Sequence, residues 1–264
     1  MFVRAYKTHA VSTSDDLEQV LDAYLPPLEE GSIVAISSKI VSICEGCVVD
    51  KNKVPSKEEL IRNHADMYLD PLPSCASSPI LTKKNNILIP SAGIDESNSL
   101  NGYVLYPEDV FSSAIQIWSF LKHRDKINYL GVILTDSHTT LMRKGVLGLA
   151  LSWCGFDPIY SYIGKPDCYG RALETTEMNI IDALAVSAVF CMGEGNEQTP
   201  LAVITEAPKI KFLNSPPSDE ERKAFFISEQ EDIYAPILAS VEWKSRRRSA
   251  GITANQQKNL GERI

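Results

Sequence analysis

Apolar runs of strand type alternate with helical segments along this chain of 264 residues, and this order most restricts the fold. Residues 129–134 form an apolar run typical of a buried strand. Residues 17–24 repeat apolar side chains at helical spacing, behind a Ser-Asp-Asp sequence that suits a helix cap. The two kinds of segment interleave without a strict strand–helix–strand rhythm, which predicts an α+β (mixed α/β) fold with mixed sheets and packed helices.

The same patterns give element bounds and a domain division. The predicted strands are residues 2–7, 32–36, 40–49, 80–82, 86–90, 129–134 and 201–205, with 32–36 paired to 40–49. The predicted helices are residues 17–24, 56–67, 107–122, 173–192 and 219–226, whereas the pattern of residues 145–153 is ambiguous. We predict one domain over residues 1–243, with about 84–163 as a candidate inserted subdomain. Residues 244–264 are predicted to be a basic, polar and mobile tail.

Charge and hydropathy restrict the partners. The chain has 26 Lys and Arg against 34 Asp and Glu, a net charge of -8, which argues against nucleic acid as a partner. We see neither an apolar leader nor an apolar run long enough for a bilayer, so we expect a cytoplasmic protein with small-molecule substrates and no membrane partner.

The six cysteines are expected to be reduced thiols in that compartment. Cys44 and Cys47 form a lone Cys-x-x-Cys, which a redox pair or half a zinc site would also show. No second pair or paired histidines complete a zinc site, and the motif lies in a predicted strand. We therefore favour ordinary buried or edge-strand thiols.

Two segments combine a carboxylate with small polar side chains directly after an apolar run. The first is Gly-Ile-Asp-Glu-Ser-Asn around Asp95, and the second is Thr-Asp-Ser around Asp136. Either aspartate alone is equally well explained as a turn or helix cap. Together they suit a divalent cation, with Ser137 as a further oxygen ligand, because hard cations prefer such oxygens and often hold nucleotide phosphates.

Other polar segments have both structural and functional explanations. The loop Met-Gly-Glu-Gly-Asn-Glu-Gln-Thr-Pro at residues 192–200 has two glycines that permit close backbone approach to a ligand, but most such loops are turns and it is not a P-loop. Arg143 and Arg171, with Lys165, could hold a carboxylate or phosphate, or simply decorate surface loops.

Five motifs in one order give the chain a resemblance to the gamma-glutamyl ligases whose founding member elongates the glutamate tail of a deazaflavin coenzyme. The resemblance covers about residues 2–207. The motifs are Ser-Lys-Ile-Val-Ser with Glu-Gly (38–46), Gly-Ile-Asp-x-Ser-Asn (93–98), Thr-Asp-Ser (135–137), Asp-x-Tyr-Gly-Arg-x-Leu (167–173) and Met-Gly-Glu (192–194).

The resemblance implies a set of site residues, an intimate homodimer and Mg²⁺ or Mn²⁺ at two sites, with GTP as nucleotide. Asp95 and Asp136 would hold one ion, and Ser137 and Glu194 a second. The implied nucleotide contacts are Ser38, Lys39, Asn98, Met192, Gly193, Glu194, Gly195, Asn196 and Glu197.

Several positions depart from the coenzyme ligases. Ile43 stands where they carry a lysine, His-Thr-Thr replaces Phe-Gly-Arg after Ser137, and an expected aspartate is missing near Gly148. Residues 143–148, 152–156 and 164–171 look more like a bacterial branch thought to glutamylate folates. These differences bear on acceptor and nucleotide, not on the metal residues.

We therefore predict a ligase, dependent on ATP or GTP, that joins L-glutamate to a folate or pteroate-type carboxylate through an acyl phosphate. Lys39, Arg143 and Arg171 are its candidate catalytic residues. The alternatives are a ligase acting on coenzyme F420-0 or another small carboxylate, and, of a different class, a nucleotide-binding protein without turnover.

Overall fold

The computed structural model describes residues 1–72, 78–99 and 102–245. It has the predicted α+β fold. The helices within these ranges are α1 Leu17–Tyr24, α2 Ser38–Cys44, α3 Lys57–His64, α4 Val110–Asp125, α5 Ile180–Met192, α6 Asp219–Phe225 and α7 Ala235–Leu238. The strands are β1 Phe2–Tyr6, β2 Ser32–Ser37, β3 Val48–Asp50, β4 Met67–Leu69, β5 Leu81–Lys84, β6 Ile87–Pro90, β7 Gly102–Val104, β8 Leu130–His138, β9 Leu147–Cys154, β10 Ile159–Ser161, β11 Glu177–Asn179, β12 Leu201–Thr205 and β13 Lys244–Ser245.

The central sheet has five strands in the order β1-β12-β2-β8-β9. Only β2 and β8 run parallel, and their register sets Ser37 opposite Thr135. Because parallel strands end at the same edge, the residues that follow Ser37 and Thr135 emerge side by side. This edge is where Lys39 and Asp136 meet.

Helices cover both faces of this sheet, so its central strands are apolar on both sides. The first core cluster lies between the sheet and α1, α2 and α4, and includes Val34 and Leu134. The second lies on the opposite face under α5, and includes Ile33 and Ile133. The alternation of neighbouring residues between the two clusters is the period-two pattern of a fully buried strand.

The remaining described strands form smaller sheets. Strands β13, β4, β5 and β6 form an antiparallel sheet, while β3 pairs with β7 and β10 with β11. Lys244 and Ser245, the first two residues of the predicted tail, form β13 against β4. The remainder of that tail, residues 246–264, lies outside the described residues. The candidate subdomain 84–163 contributes β8 and β9 to the central sheet.

The strand predicted over residues 40–49 is wrong. Residues Ser38–Cys44 form helix α2, and only Val48–Asp50 form a strand. Ile40, Val41 and Ile43 are β-branched, which favours a strand in isolation. In the fold their burial under the sheet outweighs that local preference.

Two predicted helix starts are also too early. Residues Glu177–Asn179 pair with β10, so α5 begins at Ile180, where the Asn179 side chain accepts from the Asp182 N–H at 3.1 Å. Helix α4 begins at Val110 behind an Asp109 cap and extends to Asp125. No described helix has the length and apolar character needed to cross a bilayer.

Candidate active site

A cavity of about 770 Å³ opens at the edge where β2 and β8 end. Four segments that are distant in sequence meet around it, together with the start of α2. They are residues 8–13, 95–99, 135–137 and 192–200. The cavity therefore brings together both carboxylate motifs and the glycine-rich loop that the sequence singled out.

Lys39 projects into the cavity from the first turn of α2 and forms an ion pair with Asp95. The Asp95 carboxylate is also held by its own loop, accepting from the backbone N–H groups of Glu96 at 2.6 Å and Ser97 at 2.9 Å. The Ser97 hydroxyl donates to Asp95 and accepts from Lys39 at 3.0 Å. Burial alone would raise the pKa of Asp95, but the Lys39 and Ser97 hydrogen bonds outweigh it and hold that pKa below its ordinary value.

Asp136 follows Thr135 on β8, and the hydroxyl of the buried Tyr106 donates to its Oδ2. Burial raises the pKa of Asp136, opposed by the hydrogen bonds from Tyr106 and the Ser137 N–H. The Asp95 charge acts in the same direction as burial. The Asp136 carboxylate therefore lies near the Asp95 carboxylate, in a part of the site that is largely shielded from water.

Glu194 adds a third acid from the glycine-rich loop. Desolvation raises the pKa of Glu194, and Asp136 raises it further, while a hydrogen bond from Ser137 favours the charged form. Lys39 is the only Lys or Arg among the described residues that line the cavity. Asp50 and Glu197 also line the cavity, so five acids share it with a single ammonium, which gives the site an excess of acidic groups.

The loop of residues 192–200 continues from the end of α5 and is tied to the first carboxylate motif. The Asn98 side chain donates to the Gly195 carbonyl at 3.2 Å, which links the two loops directly. The Gly195 N–H donates to Glu197 at 2.8 Å, so the Glu197 side chain folds over its own loop. At Gly193, with φ +80°, an added Cβ would lie 2.6 Å from the Glu197 carboxylate carbon, so this compact loop needs glycine.

The cavity lining contains most of the predicted site residues but not all of them. Ser38 is buried at the start of α2 and does not line the cavity. Arg143 lies exposed in the β8–β9 connection. Arg171 lies in a separate surface loop, where it pairs with Asp167 at 3.1 Å and its side chain is 78% exposed. Neither arginine lines the cavity of the described chain.

The structure adds residues to the site that the sequence did not single out. Residues 8–13 line the cavity, and Thr8 donates its N–H to the Gln198 carbonyl at 2.8 Å. Tyr106 contacts Asp136 from beneath. Ile43, which the sequence already marked as a departure from the coenzyme ligases, lies one turn beyond Lys39 and also lines the cavity. No sequence signal indicated the Tyr106 contact, because Tyr106 precedes the predicted helix over 107–122 and lies 30 residues from Asp136.

The Cys-x-x-Cys motif is separate from this chemistry. Cys44 is the last residue of α2, and both it and Cys47 are free thiols. Burial raises the pKa of both thiols, that of Cys44 to about 11. These are the properties of unreactive structural cysteines.

The oxygen donors suit a magnesium-type ion shared with a ligand. Among the described residues, no three His, Cys, Asp or Glu side chains form a group that would hold a metal ion. Mg²⁺ is usually held by one or two carboxylates together with substrate phosphates, and not by an all-protein cage. Asp95, Asp136, Glu194 and the Ser137 hydroxyl are the residues that could supply such a partial set, and the negative charge of the three acids would favour a divalent cation.

Comparisons with known proteins identify the chain. The family model described as F420-0:Gamma-glutamyl ligase matches residues 6–206. The Coenzyme F420:L-glutamate ligase of Methanocaldococcus jannaschii is 32% identical over 214 residues, which cover 75% of this chain and 84% of that protein. The ligase of the same name from Methanosarcina barkeri is 33% identical over 207 residues, 74% of this chain and 80% of that protein. One from Methanococcus maripaludis is 29% identical over 241 residues, 85% and 93% of the two chains.

These matches show which class of protein the chain belongs to. The chain is an enzyme, an acid–amino-acid ligase that forms a gamma-glutamyl amide bond. More particularly, it belongs to the F420-0:Gamma-glutamyl ligase family.

Proposed function

We propose that this ligase joins L-glutamate to coenzyme F420 or its F420-0 precursor, with GTP or ATP as co-substrate and Mg²⁺ or Mn²⁺ as cofactor. The observation that carries the proposal is the meeting of Lys39, Asp95, Asp136 and Glu194 in one cavity, with the glycine-rich loop 192–200 on its wall. Lysine, acidic metal ligands and close backbone approach are the parts that phosphoryl transfer requires.

The site residues divide the work of the reaction. Asp95 and Asp136 would hold one ion, and Ser137 and Glu194 a second. A bound ion of this type supplies charge neutralisation at phosphate oxygens. Lys39 would neutralise charge on the transferred phosphoryl group. The Asn98 side chain links the glycine-rich loop 192–200 to the Asp95 loop.

The chemistry runs in two steps. An acceptor carboxylate oxygen attacks the γ-phosphorus, the bond to the β-phosphate oxygen breaks, and an acyl phosphate and nucleoside diphosphate result. The glutamate amine then attacks the acyl carbon, phosphate leaves, and the amine loses a proton. Arg143 and Arg171, on surface loops outside the cavity lining, remain candidates to hold substrate carboxylates, and homodimerisation belongs to the same proposal.

The choice of acceptor follows the named relatives. All of those described above are coenzyme F420:L-glutamate ligases, and none is named for folate. We therefore replace the folate or pteroate acceptor, which was our expectation from the sequence, by the deazaflavin coenzyme. The buried Ile43 and the His-Thr-Thr segment differ from the coenzyme ligases and do not alter the acidic ligand set.

The test is mass spectrometry of products made by the purified full chain with glutamate, Mn²⁺ and GTP or ATP. We expect F420-0 to gain the mass of one glutamyl unit only when nucleotide and metal are present. Asp95→Asn and Asp136→Asn should fold normally and lose this turnover.

A glutamylated folate or dihydropteroate with unchanged F420-0 would overturn the proposed acceptor. Nucleotide binding without phosphate release, with each acceptor present, would instead indicate a binding protein. Near-normal activity in both asparagine variants would reject the metal assignment.

A further inference from the structure

Tyr106 contacts both of the segments that carry the proposed metal ligands, the one before Asp95 and the one that contains Asp136. It lies two residues beyond β7, only 9% exposed, and its hydroxyl donates to Oδ2 of Asp136. Its ring packs against Gly93, two residues before Asp95. A Cβ added at Gly93 would lie 2.0 Å from the ring carbon that bears the hydroxyl.

The backbone around Tyr106 is also tied to the Asp95 loop. Asp95 donates its N–H to the Val104 carbonyl at 3.0 Å, and Val104 returns a bond to Asp95 at 2.8 Å. Tyr106 thus lies two residues after Val104, which is bonded to the Asp95 backbone, and it donates a hydrogen bond to the side chain of Asp136. No other side chain in the described part of the chain is recorded with both contacts.

We propose that Tyr106 is a positioning residue for the cation site. Its hydroxyl donates a hydrogen bond to Oδ2 of Asp136, so that this carboxylate has a fixed orientation and binds a divalent cation through its other oxygen. The inference rests on the metal site of the proposed function. Hydrogen-bonded partners of this kind orient metal ligands, and their loss typically lowers metal affinity about 10–100-fold.

A purely structural role is the competing explanation, since a buried tyrosine hydroxyl needs an acceptor in any fold. The two roles differ in what they change. Loss of a structural hydrogen bond lowers stability and leaves the metal dissociation constant unaltered. Loss of a positioning bond raises that constant even in the fraction of protein that is folded.

The experiment measures Mn²⁺ binding to the full chain without nucleotide, by the electron paramagnetic resonance signal of free Mn²⁺ and by calorimetry. Tyr106→Phe removes only the hydroxyl, and we expect Mn²⁺ to bind about 10–100-fold more weakly. Tyr103→Phe is the matched control, because that ring lies on β7 against Lys51 and Lys57, 5.5 and 5.7 Å from their ammonium groups. It should bind Mn²⁺ like the wild type.

The outcomes distinguish failure of the positioning role of Tyr106 from failure of the proposed metal site. Wild-type Mn²⁺ affinity in Tyr106→Phe would overturn the positioning role. Wild-type affinity in Asp136→Asn would instead show that the proposed metal site has failed. If circular dichroism shows that Tyr106→Phe does not fold, Tyr106→Met removes the hydroxyl with an adaptable apolar side chain and is read in the same way.

Discussion

Lys39 and Asp95 form an ion pair in the lining of the cavity. The lysine side chain is 23% exposed and reaches Asp95 and Ser97, and its charge also opposes the rise in the pKa of Asp136 and of Glu194 that burial causes. A divalent cation bound by Asp95 would take over part of this neutralisation. At the residue scale, the proposed function would therefore give Lys39 two effects: it would neutralise the phosphoryl group and it would compete with the metal.

Replacing Lys39 by methionine should separate these two effects. With the ammonium gone, the three carboxylates attract a cation more strongly, and we expect about tenfold tighter Mn²⁺ binding, equivalent to ~1.4 kcal/mol. Turnover should fall about a hundredfold or more, because the charge on the transferred phosphoryl group loses a partner. Mn²⁺ titration and product formation measure the two quantities.

Lys53→Met is the control, since that lysine is exposed and lies outside the cavity lining. It should change neither quantity. Weaker Mn²⁺ binding in Lys39→Met would show that the lysine supports the cation site and does not compete with it.

The raised pKa of Cys44 leads to a pH-dependent prediction. Only the thiolate reacts, and with a pKa of about 11 its fraction at pH 8 is on the order of a hundredfold below that of an ordinary cysteine. Iodoacetamide at pH 8 should therefore modify the exposed Cys168 and Cys191 long before Cys44, and Cys44 should gain reactivity as the pH rises towards 11. Peptide mapping measures each rate, and equal rates in the folded protein would contradict the prediction.

At the scale of elements, short turns set the positions of the two aspartates. The turn Ser91–Gly93 joins β6 to the Asp95 loop and is anchored by Thr82, whose hydroxyl accepts from the Ala92 N–H at 2.8 Å. Gly93 has φ +70° and lies directly under the Tyr106 ring. The turn thus depends on glycine for its backbone conformation and for its lack of a side chain.

Gly93→Ala tests whether the Tyr106 ring leaves room for a side chain at this position, with Gly46→Ala as a matched control. Gly46 has φ +74° with no atom within 4 Å of an added Cβ, so its substitution adds backbone strain alone. We expect about 1 kcal/mol of destabilisation at Gly46, and about 1–3 kcal/mol more at Gly93, where Tyr106 must move. Urea unfolding measures both losses, and equal losses would mean that the ring adapts without strain.

At the scale of the whole molecule, residues beyond the family match complete the second core cluster. The match ends at residue 206, yet Ile210, Phe212 and Phe225 pack against the face of the sheet under α5. Phe225 lies with its ring 4.9 Å from that of the buried Trp153. This later segment is therefore part of the fold that supports β9.

Phe225→Ala should lower the free energy of unfolding by about 2–3 kcal/mol, somewhat less than loss of a fully buried phenylalanine. The physical reason is the lost contact with Trp153, whose fluorescence should also change. Phe190→Ala, at a side chain 88% exposed, is the control and should alter stability by less than about 0.5 kcal/mol. Similar losses in the two variants would argue against a core role for the later segment.

Much of the secondary structure, and the family, could be predicted from the sequence. Helix α1 behind Asp16, helix α6 behind Ser218 and strands such as β12 follow from signals within a few residues. Caps and short-range periodicity act locally, so a sequence displays them directly. The order of the motifs around Asp95, Asp136 and Glu194 was likewise enough to predict the family, while the role of these acids as metal ligands stays a prediction.

Only the tertiary structure decided how these parts meet. It made residues 38–44 a helix because burial under the sheet outweighed their β-branched preference. It brought Tyr106 to Asp136 and residues 8–13 to the cavity, and it left Arg143 and Arg171 outside the lining. These outcomes depend on contacts between residues tens of positions apart, and such contacts are set by the packing of the whole chain and not by any local pattern.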